Sequence, residues 1–184
     1  MKAVLISIQP KWCELIASGK KTVEVRKTKP KLETPFKAYI YETKDKKFEN
    51  IGVHWENGRD FIHNGGKVIG EFVCRRIEEL YQCNSGWVQA YACLSRDKFF
   101  DYLGIPRKTH LGYDKKAYGW LISDLVIYDK PKELREFRTP CKMTEDSCYF
   151  CDYAVHGMDG DLIDCDTSLT RPPQSWCYVE EVSR

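Results

Sequence analysis

The hydrophobic period changes between Gln9 and Arg26, and this change constrains the fold more than any other feature of the chain. Apolar residues spaced three and four apart, with proline at the first helical position, predict a short helix that ends at Gly19. After this glycine the period becomes two, which is typical of a strand with two unlike faces. The apolar helix positions are Trp12, Leu15 and Ile16; the strand places Val23 and Val25 on one face and Thr22, Glu24 and Arg26 on the other.

The polar face of this strand carries groups that can bind a ligand. Glu24 and Arg26 are two residues apart, so they share a face and can hold each other in an ion pair. A guanidinium beside a carboxylate can recognise a planar amide or the edge of a base. Lys21 lies in the preceding turn, where burial would favour loss of its proton and a role as base or nucleophile. The alternative interpretation is a charged edge strand with a surface ion pair.

Strand-like segments outnumber helical ones in the rest of the chain. Ser95 precedes a predicted helix over 96–103, Gly104 ends it, and we expect its apolar side to pack against the core. Gly70 within an apolar run predicts a bulge or a close backbone contact. Because the helices do not alternate with every strand, the pattern favours an α+β mixed barrel over a doubly wound sheet. The predicted strands cover residues 2–8, 36–43, 51–56, 67–77 and 118–128, and a helical turn is expected over 132–137.

A short signature gives the chain a family resemblance. Residues 19–26 read Gly19-Lys20-Lys21-Thr22-Val23-Glu24-Val25-Arg26 and resemble the G-x-K-x-x-E-x-R signature of the ASCH domain family. Residues 5–12 and 118–124 are also similar to bacterial and phage members, so the resemblance covers about residues 1–136. It implies a PUA-like mixed β-barrel with flanking short helices. It also implies that a cleft lined by the signature residues binds RNA or a modified nucleoside.

Some members of this family are acetylcytidine amidohydrolases, which use a lysine, a threonine and a glutamate. Lys21 matches the lysine by its position in the motif, whereas Glu24 stands where those enzymes carry threonine. The resemblance therefore implies an alternative activity, hydrolysis of an acylated nucleoside. In that activity Lys21 would activate water or a hydroxyl and Glu24 would carry protons.

In the binding interpretation, Lys21 and Arg26 contact phosphate or carbonyl oxygens, and Glu24 accepts from an exocyclic amine. Trp12 at the cleft mouth stacks on a base, although packing against the core is the alternative role for this side chain. The lysine-rich loop 27–35 adjoins the cleft and can hold phosphate, and Gln174 and Ser175 can reach it or form a rigid return loop. The expected ligand-binding residues are Ser7, Gln9, Trp12, Lys21, Thr22, Glu24 and Arg26.

Composition limits the remaining classes of function. The 184 residues include 29 basic and 27 acidic side chains, so the net charge of +2 creates no global field that attracts nucleic acid. Binding of nucleic acid must therefore be local. This length suits a single domain over residues 1–184. The apolar start of the chain is too short for a signal peptide, and no run approaches a membrane helix, so we expect a cytoplasmic protein without membrane contact.

Five of the nine cysteines follow residue 140. The two-residue gap between Cys148 and Cys151 allows both thiolates to bind one tetrahedral ion, with Cys141 and Cys165 completing the site. We expect a structural zinc in a small cysteine-rich insert over residues 138–170, because the insert has few apolar residues of its own. Cys177 or His156 as substitute ligands, or reduced and unliganded cysteines, are the alternatives. A third class of function, a protein-interaction module, would use this insert and leave the cleft idle.

Overall fold

The computed structural model describes residues 1–49, 51–55, 60–106, 115–141, 154–158 and 162–182. A six-stranded sheet forms its centre, with the strand order β10-β1-β3-β6-β7-β2. Two small two-stranded sheets, β4-β5 and β8-β9, complete the strand pairing. The strands are β1 (Lys2–Ile8), β2 (Val23–Arg26), β3 (Phe36–Glu42), β4 (Gly52–His54), β5 (Asp60–Ile62), β6 (Val68–Leu80), β7 (Ala117–Lys132), β8 (Ala154–His156), β9 (Leu162–Cys165) and β10 (Trp176–Glu180).

The first strand lies inside the sheet. β1 pairs parallel with β3 and antiparallel with β10. Both of its faces are covered, because Ala3, Val4, Leu5 and Ile6 are fully buried. This burial explains the nearly continuous apolar sequence from which the strand was predicted. Ser7 lies near the end of β1, and the first helix begins shortly after this strand.

In the described ranges three α-helices pack around the sheet: α1 (Pro10–Ala17), α2 (Ser85–Ala92) and α3 (Arg96–Leu103). α1 begins after an extended Gln9 with proline at its start, and Gly19 takes a φ of 75° just beyond its end. That φ favours glycine, as expected for a stop signal. α3 has its predicted bounds, and the Ser95 side chain accepts from the Lys98 N–H. α2, which contains Trp87, was not predicted from the sequence.

The apolar residues form three clusters. One lies between the sheet and α1 and contains Trp120, Phe72 and Ile16. The second joins the apolar face of β2 to α2 and α3, with Val23 and Val25 against Phe99, Phe100 and Leu103. The packing role expected for the apolar side of α3 is therefore confirmed. The third contains Leu5, Tyr39, Phe137 and Val179 on the other side of β1 and β3.

The α+β character is confirmed, but the prediction of a closed barrel is wrong. In the part of the chain that the structure describes, the edge strands β2 and β10 form no ladder with each other. Side chains approach across the gap instead: the Trp120 and Trp176 rings lie 6.0 Å apart, and Trp176 Nε1 donates to Thr28 Oγ1 at 3.0 Å. β2 has only four residues and is followed by a loop with Pro30 and Pro35, which lack the N–H that would extend pairing.

The predicted cysteine-rich insert is only partly described. Cys148 and Cys151 lie outside the described residues, Cys141 is exposed, and Cys165 ends β9. The two ends of the predicted insert lie next to each other, because the Thr139 N–H donates to the Thr167 carbonyl at 2.9 Å. Among the described residues no group of three or more candidate metal ligands is found, and no helix there is long and apolar enough to span a membrane. The insert boundaries and the zinc site stay predictions.

Gly70 lies where the pairing register between β6 and β7 shifts. The sequence predicted a bulge or a close backbone contact at this glycine. A methyl group at this position would overlap the Val126 carbonyl oxygen and lie 3.2 Å from the Cα of Ile127. Backbone atoms cannot move aside cheaply, so Gly70→Ala should lower the free energy of unfolding by about 1–3 kcal/mol in urea denaturation.

The matched control is Gly86→Ala in α2, where an added methyl group meets nothing within 4 Å. This change should be neutral or should stabilise the protein by up to about 1 kcal/mol, because alanine is the better helix former. Equal effects of the two substitutions would contradict the close backbone approach at Gly70.

Candidate functional site

A cleft of about 450 Å³ opens where the end of β1, the start of α1 and the polar face of β2 meet. α2, α3 and the loop before β10 form its other walls. The volume lies within the range of roughly 300–1,000 Å³ that is usual for small-molecule sites. The lining residues are Ser7, Ile8, Gln9, Trp12, Lys21, Glu24, Val25, Arg26, Thr43, Ala92, Leu94, Lys98, Tyr102 and Gln174.

A buried carboxylate organises the floor of this cleft. Glu24 Oε2 lies 3.2 Å from Lys21 Nζ, and Glu24 Oε1 lies 3.1 Å from Arg26 Nη2. The side chains are only 8%, 4% and 12% exposed, respectively, so the cluster is shielded from solvent on most sides. Glu24 and Arg26 share a face, as the strand parity predicts. A carboxylate between two cations is fixed by both, and the three groups together carry one positive charge.

Lys21 Nζ is surrounded by oxygen acceptors. Its Nζ donates to the Val23 carbonyl at 2.7 Å and to the Ala92 carbonyl at 3.1 Å, in addition to the contact with Glu24. An ammonium group has three donors and no acceptor, so these three acceptors use its full capacity. Nζ also lies 5.4 Å from the centroid of the Trp12 ring. The turn after Gly19 brings Lys21 inward, and its N–H donates to the Leu15 carbonyl at 2.8 Å.

Arg26 on β2 contacts two other parts of the chain and still has donor capacity. Nη2 donates to the Ser7 carbonyl, and Nη1 lies 3.5 Å from Ser175 Oγ in the loop before β10. Its Nε is buried and has no hydrogen-bond partner among the described residues. A buried donor of a charged group without a partner is costly, and an acceptor on a ligand would remove that cost.

Two aromatic side chains form walls of the cleft. Trp12 is half-buried, packs against the core cluster beside α1, and lines the cleft with the remainder of its surface. Trp12 therefore packs against the core, as one interpretation expected, and also borders the cleft. Lys11, which is exposed, lies over the same ring at 5.3 Å. On the opposite wall Tyr102 OH donates to the Val25 carbonyl at 3.4 Å, and burial raises the pKa of this phenol.

Beneath the cleft Cys13 remains a thiol. Burial raises its pKa well above the usual range, and the carboxylates of Glu42 and Glu24 add to this effect. Its Sγ lies 3.6 Å from the Ile8 carbonyl, which it can reach as a weak donor. A nucleophilic thiolate is therefore not supported at this position. The role of Cys13 is to fill the core under the helix that carries Trp12.

A second buried polar group fixes the same helix. His63 Nδ1 lies 2.6 Å from Glu42 Oε1, and His63 Nε2 lies 3.7 Å from Glu14 Oε2 on α1. The Asn64 N–H donates to the second oxygen of Glu42 at 2.5 Å. These contacts join α1 to β3 and to the loop after β5. The cleft wall formed by Trp12 therefore rests on a fixed support.

The structure brings six of the seven sequence-predicted residues together around the cleft: Ser7, Gln9, Trp12, Lys21, Glu24 and Arg26. Thr22 is not among the lining residues and its side chain is exposed. β2 begins only at Val23, so strand parity does not extend back to Thr22. The backbone of Thr22 instead donates to Tyr91 and accepts from Ile122.

Sequence reasoning missed one side of the cleft. Ala92, Leu94, Lys98 and Tyr102 come from α2, α3 and the link between them. Lys98 and Tyr102 are four residues apart and therefore lie on one side of α3, which was the available signal. The apolar side of α3 was interpreted only as packing. Thr43 was expected at the end of a strand but not in the cleft.

Glu24→Gln removes the only described carboxylate of the cleft lining and leaves Lys21 and Arg26 buried without a counter-charge. We expect this substitution to lower the free energy of unfolding by about 3–5 kcal/mol, because breaking a buried ion pair strands the remaining charge. Urea denaturation followed by tryptophan fluorescence measures the change.

The control is Asp124→Asn, which breaks an exposed pair with Arg75 at 3.2 Å. Asparagine tolerates the φ of 48° at this position, and exposed pairs contribute little, so stability should be nearly unchanged. If Glu24→Gln were as mild as this control, Glu24 would not be the organising charge.

Similarity to solved structures supports the same architecture. The chain matches the crystal structure of an ASCH protein from Zymomonas mobilis with 22% identity, a TM-score of 0.50, and coverage of 97% of this chain and 88% of the other. A serine-to-alanine variant of that protein matches with 20% identity, a TM-score of 0.52, and coverage of 97% and 89%. A tyrosine-to-phenylalanine variant matches with 21% identity, a TM-score of 0.50, and coverage of 98% and 92%. At these identities the similarity shows the fold alone.

None of the curated proteins compared with the chain matches it. The family model of the ASCH domain matches residues 6–133, which are more than half of the chain and include α1, the signature strand and the long antiparallel strands β6 and β7. ASCH domains belong to the PUA-like superfamily, in agreement with the mostly β sheet and few helices observed here. The chain therefore belongs to the ASCH domain family.

Proposed function

We propose that this ASCH domain binds RNA or a modified nucleoside by taking one base into the cleft above Glu24. The observation that supports the proposal most is the Arg26 guanidinium. It is held in place by Glu24 and the Ser7 carbonyl, while its buried Nε has no partner among the described residues. A donor fixed in this way suits a carbonyl or ring-nitrogen acceptor of a base.

The charge of the cleft supports an acceptor-rich or anionic ligand. Lys21, Arg26 and Lys98 contribute three positive charges among the described lining residues, against the one negative charge of Glu24. This local excess contrasts with a whole-chain net charge of only +2. Phosphate oxygens and base carbonyls both match such a site, because RNA recognition combines phosphate contacts with readout of base edges.

The role proposed for Glu24 differs from the one expected from the sequence. Both oxygens of Glu24 already contact cations, so we propose that Glu24 positions Arg26 and Lys21 instead of reading an exocyclic amine. Gln9 and Gln174 add two amides to the cleft lining, and an amide can both donate and accept. We propose that Trp12 stacks on the bound base from its half-buried position.

The alternative function, an amidohydrolase acting on an acylated nucleoside, needs Lys21 as a free amine. Three acceptors around Nζ favour an ammonium instead, and this arrangement supports binding over catalysis. Incubation with acetylated cytidine, with release of acetate as the readout, separates the two functions. Turnover that is lost in Lys21→Arg would favour the enzyme, because guanidinium does not give up its proton near neutral pH.

The binding proposal predicts that Arg26→Lys and Trp12→Leu each weaken the binding of a fluorescein-labelled single-stranded RNA of about 12 nucleotides. Arg26→Lys keeps the charge but removes the Nε donor, and Trp12→Leu keeps an apolar side chain but removes the stacking surface. Loss of a charged hydrogen bond or of one stacked base is worth about 1–3 kcal/mol, so the Kd in fluorescence anisotropy should rise roughly 5- to 150-fold.

Trp55→Leu is the matched control, because Trp55 stacks on Phe61 and does not line the cleft. It should leave the Kd unchanged within about twofold, since it removes no contact with the base. Thermal unfolding of each variant separates binding from folding. If Trp12→Leu and Arg26→Lys reduced stability but left the Kd unchanged, the cleft residues would be structural and the proposal would be wrong.

We also propose that Cys141, Cys148, Cys151 and Cys165 hold one structural zinc ion. The backbone bridge between Arg138 and Ser168 and the β8-β9 hairpin support a closed loop in this part of the chain. Elemental analysis of purified protein should find about one zinc per chain, and Cys148→Ser should lose most of it. Cys83→Ser, at an exposed cysteine elsewhere, should retain the metal. Metal-free wild-type protein that is folded over this segment in hydrogen exchange would exclude the zinc.

A further inference from the structure

Exposed lysines and two tyrosine rings continue from the cleft along the edge of the sheet. Lys27 Nζ lies 5.2 Å from the centroid of the Tyr102 ring. Lys29 Nζ lies 5.2 Å and Lys116 Nζ 5.6 Å from the centroid of the Tyr118 ring. We call this surface the basic strip; its members are Lys27, Lys29, Lys98, Lys116, Tyr102 and Tyr118.

The basic strip is continuous with the cleft. Lys98 and Tyr102 belong to both. Tyr118 on β7 is the direct cross-strand partner of Arg26 on β2. Residues directly opposite each other in an antiparallel pair point to the same face, so Tyr118 lies on the cleft side of the sheet. A ligand that leaves the cleft past Arg26 therefore meets Tyr118 and the lysines beside it.

The charge of the basic strip is predominantly positive. All four lysines are exposed. Glu79 is an acidic neighbour, and Lys116 Nζ lies 2.9 Å from its Oε1. The contact with Lys116, together with the Tyr81 hydroxyl, lowers the pKa of Glu79, so this carboxylate offsets one lysine at the far end. The four lysines against this one carboxylate leave the basic strip positively charged.

Lysines that alternate with aromatic rings suit single-stranded nucleic acid. The lysines neutralise phosphates, and the rings offer faces on which successive bases stack. A duplex fits less well, because a base must leave its stack to enter a half-enclosed cleft. A free nucleoside would fill the cleft but would leave the basic strip without a role.

We propose that the basic strip carries the phosphate backbone of a single-stranded RNA whose base occupies the cleft, so that the ligand is a polymer and not a free nucleoside. This inference rests on the function proposed for the cleft and adds the class of ligand and the direction of the chain. The RNA runs from the cleft past Arg26, between Tyr102 and Tyr118, toward Lys116.

The test compares the binding of a labelled single-stranded RNA of about 12 nucleotides to wild type and to the triple variant Lys27→Gln, Lys29→Gln and Lys116→Gln, over a range of salt concentrations. None of the three lysines lines the cleft. Each lost phosphate contact reduces the slope of log K against log salt by about 0.7 for a single strand. We expect a reduction of about 2 in the slope and roughly 10- to 100-fold weaker binding at low salt.

The matched control removes three lysines elsewhere: Lys2→Gln, Lys130→Gln and Lys132→Gln. Lys132 also lies over a tyrosine ring, 5.4 Å from the centroid of Tyr128, at the opposite end of β7. This variant has the same net charge as the first. Its affinity and salt slope should stay close to those of wild type.

Each outcome decides between the two proposals. If the triple variant binds like wild type while Arg26→Lys still weakens binding, the basic strip is not the RNA path but the cleft function stands. If cytidine or another free nucleoside bound as tightly as the RNA, the proposal that the basic strip binds the RNA backbone would also be wrong. Single-stranded DNA that binds as tightly as RNA would overturn the claim that the polymer is RNA. If wild type binds neither RNA nor a nucleoside, the cleft function and the basic strip are both wrong.

Discussion

Glu24 lies between Lys21 and Arg26, and the geometry of the cleft depends on this buried carboxylate. Through the two cations it reaches the end of β1, the end of α2 and the loop before β10. Removing two charges from water is costly, so a cluster of this kind persists only where further hydrogen bonds satisfy it. Backbone carbonyls do so for Lys21. Arg26 retains one buried donor, Nε, without a partner among the described residues.

The arrangement separates positioning from recognition. Glu24 and Lys21 contact each other, and Lys21 also donates to the backbone, so these two residues position the site. Arg26 Nε has no partner among the described residues, and the half-buried Trp12 ring and the exposed Gln9 line the cleft. A site built in this way holds its donors before the ligand arrives, and preorganised donors lose little entropy on binding. This division favours recognition of a base over proton transfer by Lys21.

Local patterns predicted the elements that carry the floor of the cleft. The apolar run of β1, the helix signals from Gln9 to Gly19 and the parity of Glu24 and Arg26 all depend on neighbouring residues, so they can be read from the sequence. The structure does not place Thr22 in the cleft, because Thr22 precedes the strand and a turn sets the direction of its side chain. The α2 wall and the open sheet could not be read, because they depend on contacts between distant segments: Val88 and Ala92 pack with Val23, and Trp176 meets Trp120 across the sheet edges.

The most direct measurement is a crystal structure of the protein with a short single-stranded RNA. We predict one unstacked base in the cleft, with a carbonyl oxygen or ring nitrogen within hydrogen-bond distance of Arg26 Nε and one face against Trp12. We also predict the neighbouring phosphates beside Lys27 and Lys29. RNA ordered on another face of the protein, with the cleft left empty, would contradict the account.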